Sequence, residues 1–258
     1  MGRLDGKVCV VTGGGSRSDG VGNGRAAAIV FAREGARVLV QGRSEAGPAL
    51  TCQMIEDEGG TAETFIGDVN EEAAALQLAE RALERWGRID VLHNNIGIGG
   101  PGSVLEVTEE DWDEVMAVNV KTMVFCSKHT IPAMAEQGSG SIINVSSIGA
   151  LRPRGLTPYT TSKGAVIALS RAMAVDHGPQ GIRVNCLAVG PVHTPMSTRD
   201  GMSDERRERR RRASALGVEG TAWDTANAAL FFASDESRYV TGAVLPVDGG
   251  TILRGPDR

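Results

Sequence analysis

The strongest constraint on the fold is the regular alternation of short β-branched segments with longer segments of helical periodicity. Strands joined through helices, with almost no hairpin signals, predict a parallel sheet, because parallel neighbours need a long crossover connection. Right-handed crossovers put helices on both faces of such a sheet, so we expect a doubly wound α/β fold. The seven segments predicted to be strands are Val8 to Val11, Arg37 to Val40, Thr64 to Ile66, Ile89 to His93, Ser141 to Val145, Arg183 to Cys186 and Ala243 to Val247.

The chain has 258 residues and contains no repeat, low-complexity tract or linker apart from one arginine-rich run. A chain of this length can bury most of its unfolded surface in one core, so we expect residues 1–258 to form a single domain. No window approaches the roughly 20 apolar residues that a membrane span requires, and no membrane contact is expected.

The cysteines and histidines show no spacing typical of a metal site, since CxxC, HxxxH and HExxH patterns are all absent from the sequence. Scattered thiols in apolar surroundings are typical of free, buried cysteines in a reducing compartment. We therefore expect a cytoplasmic protein without a metal centre. The cysteines are Cys9, Cys52, Cys126 and Cys186.

The formal net charge of −5 argues against nucleic acid as a partner, because phosphate binding needs a basic surface. One basic run, Asp204 to Arg212, is the exception. It alternates with acidic residues and lacks aromatic neighbours for base stacking, so a solvated helix is favoured over an anion site. Its basic residues are Arg206, Arg207, Arg209, Arg210, Arg211 and Arg212.

A glycine-rich loop follows the first predicted strand and leads into a helix that begins near Arg25. Glycine lets backbone N–H groups approach a diphosphate closely, and the helix N-terminus adds partial positive charge. This context favours a dinucleotide-binding loop over a flexible surface loop. The loop residues that carry the pattern are Gly13, Gly14, Gly15, Ser16, Gly20, Gly22 and Gly24.

The end of the second strand, Val40 to Ser44, bears on the choice of nucleotide. An acidic residue here would bind the ribose 2′-hydroxyl of NAD, whereas a basic one would accept the 2′-phosphate of NADP. No carboxylate is present and Arg43 is available, so NADP(H) is favoured over NAD(H). The alternatives are that Arg43 is merely solvated, that Arg17 binds the phosphate, or that Asp19 binds a ribose hydroxyl.

Tyr159 and Lys163 are four residues apart in a strongly helical stretch, so their side chains share one helix face. A neighbouring ammonium stabilises a phenolate and would lower the tyrosine pKa from about 10. The pair is therefore a candidate acid/base, although such pairs also occur as ordinary surface packing.

Further motifs follow other predicted strands or lie in a predicted helix, Glu109 to Met134. Together with the glycine-rich loop they resemble the short-chain dehydrogenase/reductase family, from Lys7 to Gly250. The resemblance implies a single-domain, Rossmann-type fold and an NAD(P)-dependent oxidoreductase. The motifs are Asn94-Asn95-Ile96-Gly97, Val118-Asn119-Val120, Asn144-Val145-Ser146-Ser147 and Gly190-Pro191-Val192-His193-Thr194.

The resemblance implies a catalytic tetrad. Tyr159 would exchange a proton with the substrate oxygen, while Lys163 would lower the tyrosine pKa and bind the nicotinamide ribose. A serine would orient the substrate oxygen, and Asn119 would hold a water that links the lysine to solvent. Place in the motif assigns Ser147, whereas the common spacing to the tyrosine assigns Ser146; we choose Ser147.

The resemblance also implies a set of cofactor contacts. Gly13, Gly22 and Gly24, with Ser16 in the same loop, would line the diphosphate. Asp68 and Val69 would contact the adenine, Asn94 would lie beneath the nucleotide, and Val192 and Thr194 would contact the carboxamide. Asp68 and Thr194 could instead cap helices.

The chain departs from the family pattern at three places near the cofactor. The glycine-rich loop carries an insertion, Arg17 to Val21, Val189 stands in place of a proline, and Ile96 stands in place of an alanine.

Residues 195–217 correspond to the family's substrate lid. Leu151, Leu156, Met196 and Met202 suggest an apolar wall, which favours a cyclic or aliphatic ketone or alcohol over a sugar or polyol. The segment Val247-Asp248-Gly249-Gly250 resembles the family's tail segment at a subunit interface, and this resemblance implies a homotetramer or dimer. A catalytically inactive nucleotide-binding protein of the same fold is disfavoured because all four tetrad residues are present.

Overall fold

The computed structural model describes residues 2–16, 20–100, 102–153, 155–198 and 201–255. Its core is a seven-stranded, fully parallel sheet with the strand order β3-β2-β1-β4-β5-β6-β9, and a separate parallel pair joins β7 to β8. The strands are β1 (Val8–Thr12), β2 (Arg37–Gly42), β3 (Thr61–Ile66), β4 (Val91–Asn94), β5 (Gly140–Ser147), β6 (Ile182–Val189), β7 (Val192–His193), β8 (Gly220–Thr221) and β9 (Val244–Val247).

Helices cover both faces of the sheet, because successive strand residues point to opposite sides. Cys9 and Val11 pack towards α1, α2 and α9, whereas Val8 and Val10 pack towards α3, α5 and α6. The expected doubly wound α/β fold is thereby confirmed. The helices are α1 (Asn23–Arg33), α2 (Ala46–Asp57), α3 (Glu72–Trp86), α4 (Glu109–Met116), α5 (Thr122–Glu136), α6 (Thr157–His177), α7 (Pro195–Thr198), α8 (Asp204–Ala213) and α9 (Ala222–Ala233).

The strand order reverses between β1 and β4. In an open parallel sheet, such a switch point opens a crevice at the carboxyl ends of the strands, where ligands bind. The glycine-rich loop follows β1, and the other loop motifs follow β4, β5 and β6. Topology therefore gathers these predicted site segments at one edge of the sheet.

The structure differs from the sequence expectation at two places. The single helix expected from Glu109 to Met134 is instead α4 and α5 joined by one π-helical turn, Ala117–Lys121. The pair of two-residue strands, β7 and β8, was not expected because so short a segment leaves no periodic pattern. This pair ties the two ends of the segment that contains α7 and α8.

The four cysteines are free and buried, as expected. Across the described ranges, no helix is long and apolar enough to cross a membrane.

Candidate active site

Tyr159 and Lys163 lie on the first two turns of α6, where Pro158 near the helix start favours initiation. The Lys163 Nζ atom is 5.9 Å from the centre of the Tyr159 ring. It donates a hydrogen bond of 2.9 Å to the Val145 carbonyl oxygen in β5. Both side chains therefore meet the carboxyl end of β5, where the serine pair is located.

Burial is the largest effect on the pKa values of Tyr159 and Lys163. It raises the pKa of Tyr159 more than a hydrogen bond with Ser147 lowers it. Burial also lowers the pKa of Lys163 to about 8. Desolvation is the larger effect on the phenol pKa in this arrangement, in which Lys163 donates to a backbone carbonyl, and the lowering expected from a charged Lys163 stays a prediction. At neutral pH, Tyr159 is therefore a protonated phenol that can donate a proton.

The two serines at the end of β5 point in different directions. The Ser147 hydroxyl accepts a 3.0 Å bond from the Gly149 N–H, and a Cβ atom on Gly149 would be 3.3 Å from the Ser147 Oγ and 3.7 Å from the Tyr159 Cε1. The Ser146 hydroxyl is buried and donates a 2.7 Å bond to the Lys163 carbonyl oxygen. Ser147 is thus the member of the pair that faces the phenol, while Ser146 fastens β5 to α6.

Asn119 lies in the π-helical turn and is fully buried. Its Oδ1 accepts a 2.7 Å hydrogen bond from the Ile98 N–H, and its Nδ2 donates to the Ile98 carbonyl and, at 2.9 Å, to the Ser162 hydroxyl. The side chain therefore joins the turn to α6 and to the loop that follows β4.

Gly97 in that loop lies beside two of these groups, and the sequence analysis gave it no role beyond the motif. A Cβ atom at this position would be 3.0 Å from the Lys163 Nζ and 3.3 Å from the Asn119 Oδ1. Only a residue without a side chain leaves the ammonium in its present place. The glycine in the motif could have indicated that a side chain is not tolerated here, although the neighbouring Lys163 and Asn119 could not be known from the sequence.

The glycine-rich loop has backbone geometry that requires glycine at two positions. Gly13 has a left-handed φ of 63°. At Gly24, the first turn of α1 passes so close to the loop that a Cβ atom would be 2.2 Å from the Gly13 carbonyl oxygen. Gly22 precedes α1, with open space where a side chain would project. Ser16 is half-buried, with its carbonyl against Gly47 at the start of α2.

These features form a cradle of the kind that a dinucleotide diphosphate needs, because the backbone itself lines the crevice. Arg17 and Asp19, the alternative partners for the nucleotide, lie outside the described residues.

Gln41 was not singled out from the sequence, yet it anchors the loop to the sheet. Its Oε1 accepts a 2.9 Å hydrogen bond from the Gly13 N–H, and its Nε2 donates to the Gly67 carbonyl at 2.7 Å. The side chain is fully buried. The first two N–H groups of the loop, of Gly13 and Gly14, are therefore already paired with Gln41.

The two asparagines that end β4 take different positions. Asn94 is buried beneath the site, where its Nδ2 donates to the Asn144 Oδ1 at 2.9 Å and to the Ser127 hydroxyl. Asn95 instead reaches the glycine-rich loop and donates to the Gly13 carbonyl at 3.2 Å. Asn94 is therefore buried beneath the edge where the nucleotide is expected, its neighbour lies against the loop, and the contact of Asn94 with a nucleotide stays a prediction.

Arg43 and Asp68 follow β2 and β3 and come together at the same edge. The Arg43 Nη1 and Asp68 Oδ2 atoms are 3.8 Å apart, and both side chains are more than two-fifths exposed. Asp68 also accepts a hydrogen bond from the Asn70 N–H in a local turn, while Val69 is fully buried. Of these residues, Arg43 and Asp68 remain accessible to a nucleotide side group.

Val192 and Thr194 follow β6, in and directly after β7. Both side chains are almost fully buried. The Thr194 N–H donates to the Ser197 hydroxyl at 3.0 Å, and its carbonyl oxygen accepts from the same hydroxyl. These bonds order the first turn of α7 through the Thr194 backbone.

The arginine-rich run forms α8, which has no buried residue among those described. Arg210 pairs with Glu219 at 2.5 Å and donates to the Val192 carbonyl at 2.7 Å. Arg211 and Arg212 pair with Glu208 on the same helix. The run is therefore a solvated helix with internal ion pairs, which is what the sequence favoured.

Comparison with known proteins gives consistent matches over nearly the whole chain. The family model described as enoyl-(acyl carrier protein) reductase matches residues 18–251. A 3-oxoacyl-[acyl-carrier-protein] reductase from Thermotoga maritima is 36% identical over 252 residues, covering 97% of this chain and 100% of the relative. A meso-2,3-butanediol dehydrogenase from Serratia marcescens is 37% identical, covering 96% of this chain and 95% of the relative.

Two solved structures share the same fold. A putative short-chain dehydrogenase/reductase from Burkholderia xenovorans has a TM-score of 0.94 at 36% identity, covering 99% of this chain and 100% of that one. A 7α-hydroxysteroid dehydrogenase, complexed with NADH and 7-oxo glycochenodeoxycholic acid, has a TM-score of 0.90 at 32% identity, covering 96% of this chain and 95% of that one.

Proposed function

Because the chain belongs to the short-chain dehydrogenase/reductase family of NAD(P)-dependent oxidoreductases, we propose that it interconverts an apolar ketone and the corresponding secondary alcohol with NADP(H). The observation that carries this proposal is the grouping of Ser147 and Tyr159 around Gly149 at the carboxyl edge of the sheet, with Lys163 buried one turn along α6. The nucleotide crevice is then lined by three groups: a proton donor, a hydroxyl that orients the substrate, and a buried cation.

The proposed chemistry assigns one task to each group. Bound nicotinamide supplies a hydride for reduction or accepts one in oxidation. Tyr159 donates its phenolic proton to the carbonyl oxygen on reduction and takes a proton from the hydroxyl on oxidation. The Ser147 hydroxyl donates a hydrogen bond to the same oxygen and so fixes its position. Lys163 stabilises the phenolate left by proton transfer, because an ammonium favours a nearby anion.

The preference for NADP(H) rests on Arg43. Its guanidinium is exposed at the end of β2, and its weak contact with Asp68 at 3.8 Å leaves donors for a phosphate. An acidic side chain in place of Gly42, as NAD binding would favour, has no room. A Cβ atom there would be 2.5 Å from the Pro48 Cγ at the start of α2.

Titration of NADP(H) and NAD(H) tests this preference directly. In the Arg43→Ala variant, we expect NADP(H) binding to weaken by about 1.5–3 kcal/mol, the value of hydrogen bonds to charged groups, with little change for NAD(H). Arg33→Ala is the matched control, since Arg33 pairs with Glu58 on the surface. Equal wild-type affinities, or tighter NAD(H) binding, would contradict the assignment. Gly42→Asp is unsuitable for this test because the clash with Pro48 would alter α2 as well as the charge.

An apolar substrate is supported by exposed hydrophobic side chains in the loops that follow β4, β5 and β6. Leu105, Leu156 and Met196 are 93%, 50% and 70% exposed. Leu156 also has a left-handed backbone, with φ 57°, directly before the helix that carries Tyr159. Such a conformation costs about 1–2 kcal/mol and is typical of functional positions.

Residues 195–217, which include α7 and α8, are the proposed substrate lid. The 7-oxo glycochenodeoxycholic acid in the complex of the hydroxysteroid dehydrogenase contains a cyclic ketone. This ketone is one starting point in a search for the substrate.

A substrate panel separates this proposal from a sugar or polyol substrate. Cyclic and aliphatic ketones would be compared with ketoses, and the matching secondary alcohols with polyols, with each cofactor and with nicotinamide absorbance as the readout. We expect turnover of the apolar members. Turnover of polyols alone would replace the substrate assignment, and no turnover with any member would favour a catalytically inactive nucleotide-binding protein.

The assembly proposed is a homotetramer or dimer in the cytoplasm. β9 is an edge strand of the sheet, with Leu245 partly exposed, and edge strands readily pair with another chain. Light scattering during size exclusion tests this assembly, and a monomeric mass at working concentration would rule it out. The free, buried thiols support a reducing compartment.

A further inference from the structure

Arg25 is a large, charged side chain that the proposed chemistry does not use. It lies on the first turn of α1, directly after the glycine-rich loop, and is only 1% exposed. Burying a guanidinium is costly unless its donors are paired with well-placed acceptors. Its partners are therefore held in a defined arrangement.

These partners connect the glycine-rich loop to α2. The Arg25 Nη1 donates to the Gly20 carbonyl at 2.8 Å, and its Nη2 donates to the Gly47 carbonyl at 3.3 Å. Its Nε donates to the Thr51 hydroxyl at 3.0 Å, and this hydroxyl lies 2.9 Å from the Gly14 carbonyl oxygen. Arg25 thus reaches both described ends of the loop, one directly and one through Thr51.

The loop and α2 also pack directly against each other at two glycines. A Cβ atom on Gly15 would be 2.6 Å from the Pro48 Cδ, and one on Gly47 would be 2.9 Å from the Ser16 carbonyl oxygen. Because this contact is so close, the position of the loop depends on the spacing between α1 and α2. Arg25 sets that spacing, because it bonds to α2 at two points.

We propose that Arg25 is a positioning residue for the cofactor diphosphate, which holds the glycine-rich loop against α2 in its binding conformation. The inference rests on the proposed function. A loop rich in glycine loses much conformational entropy when it is ordered. If Arg25 orders the loop before the nucleotide binds, the free energy of binding no longer includes the entropy lost on ordering the loop. The affinity of the protein for the nucleotide is then higher.

Calorimetric titration with two probes tests the proposal. ADP-ribose contains the diphosphate that the loop would bind, whereas adenosine does not. In the Arg25→Met variant, we expect the Kd for ADP-ribose to rise by about tenfold or more, since the loss of a buried charged hydrogen bond costs about 1.5–3 kcal/mol. The Kd for adenosine should change by less than about twofold. Arg25→Lys, which keeps the charge and part of the bonding, should give an intermediate value.

Two further variants keep the test decisive if Arg25→Met does not fold. Thr51→Val is nearly isosteric and removes only the hydroxyl that links Arg25 to Gly14, so a smaller rise in the Kd for ADP-ribose is expected. Lys128→Met removes an exposed ion pair with Glu72 that contacts neither α1 nor α2, and it should leave both affinities unchanged.

The possible failures are distinguishable. If the wild type binds ADP-ribose but Arg25→Lys and Thr51→Val bind it equally well, the positioning role is overturned. Equal losses for ADP-ribose and adenosine would also overturn it, because they indicate general destabilisation. If the wild type binds no nicotinamide dinucleotide at all, the proposed function itself fails.

Discussion

Replacement of each serine at the end of β5 separates catalysis from packing. The two residues are adjacent, and each has one hydroxyl. Ser147→Ala removes the hydroxyl that lies with Tyr159 beside Gly149. Ser146→Ala removes the hydroxyl that donates to the Lys163 carbonyl at 2.7 Å. The same chemical change is therefore made on the two sides of one strand.

The expected magnitudes follow from the two environments. Ser147 would act on the oxygen where charge develops, and removal of one such donor typically costs about a hundredfold to a thousandfold in kcat. Ser146 is 1% exposed, so loss of its hydrogen bond should reduce the free energy of unfolding by about 1 kcal/mol. This loss is expected to lower kcat by much less than the Ser147 change.

The assay is single-turnover hydride transfer with the best substrate from the panel, together with denaturant unfolding and cofactor titration of each variant. Cofactor affinity should stay unchanged in Ser147→Ala. If Ser146→Ala instead loses more kcat than Ser147→Ala, the contact between Ser147 and the phenol is not the productive one, and the catalytic serine is Ser146.

Two other predictions follow from the buried groups. Gly97→Ala should lower kcat by about tenfold and shift the pH–rate profile, because the added methyl group would be 3.0 Å from the Lys163 Nζ. Gly99→Ala is the control: its methyl group would project into open space, so neither kcat nor the pH–rate profile should change. Equal behaviour of the two glycine variants would refute this view of Gly97. Burial lowers the pKa of His93 from 6.5 to about 4, so the unfolded chain takes up a proton before the folded one as the pH falls below 6.5. Relative to His93→Leu, the wild type should lose about 2 kcal/mol of unfolding free energy between pH 7 and pH 5, measured with denaturant; parallel pH curves would show that His93 is not buried in its neutral form.

Much of the fold could be predicted from the sequence because it depends on periodicity. Alternation of strands and helices fixes the parallel sheet, and the order of the strands places their carboxyl ends at one edge. The serine facing Tyr159 is the one that the motif indicated. Strand ends differed by up to three residues: β3 begins at Thr61 rather than Thr64, and β6 continues past Cys186 to Val189.

Other features depend on contacts between distant segments, which no local pattern records. The sequence did not indicate that Asn95 lies against the glycine-rich loop, because this contact joins segments that are far apart in the chain. The π-helical turn around Asn119 depends on bonds to Ile98 and Ser162 from other segments. The pKa of Tyr159 was expected to fall because of Lys163, yet the extent of burial, which raises it, is a property of the folded state.

The central claim is that Tyr159 exchanges the proton with the substrate oxygen. The most direct test measures hydride transfer and cofactor binding side by side in the wild type and in Tyr159→Phe. The account predicts that turnover falls by at least about a hundredfold while the cofactor Kd is unchanged, because only the proton donor is removed. Near wild-type turnover in Tyr159→Phe would contradict the account.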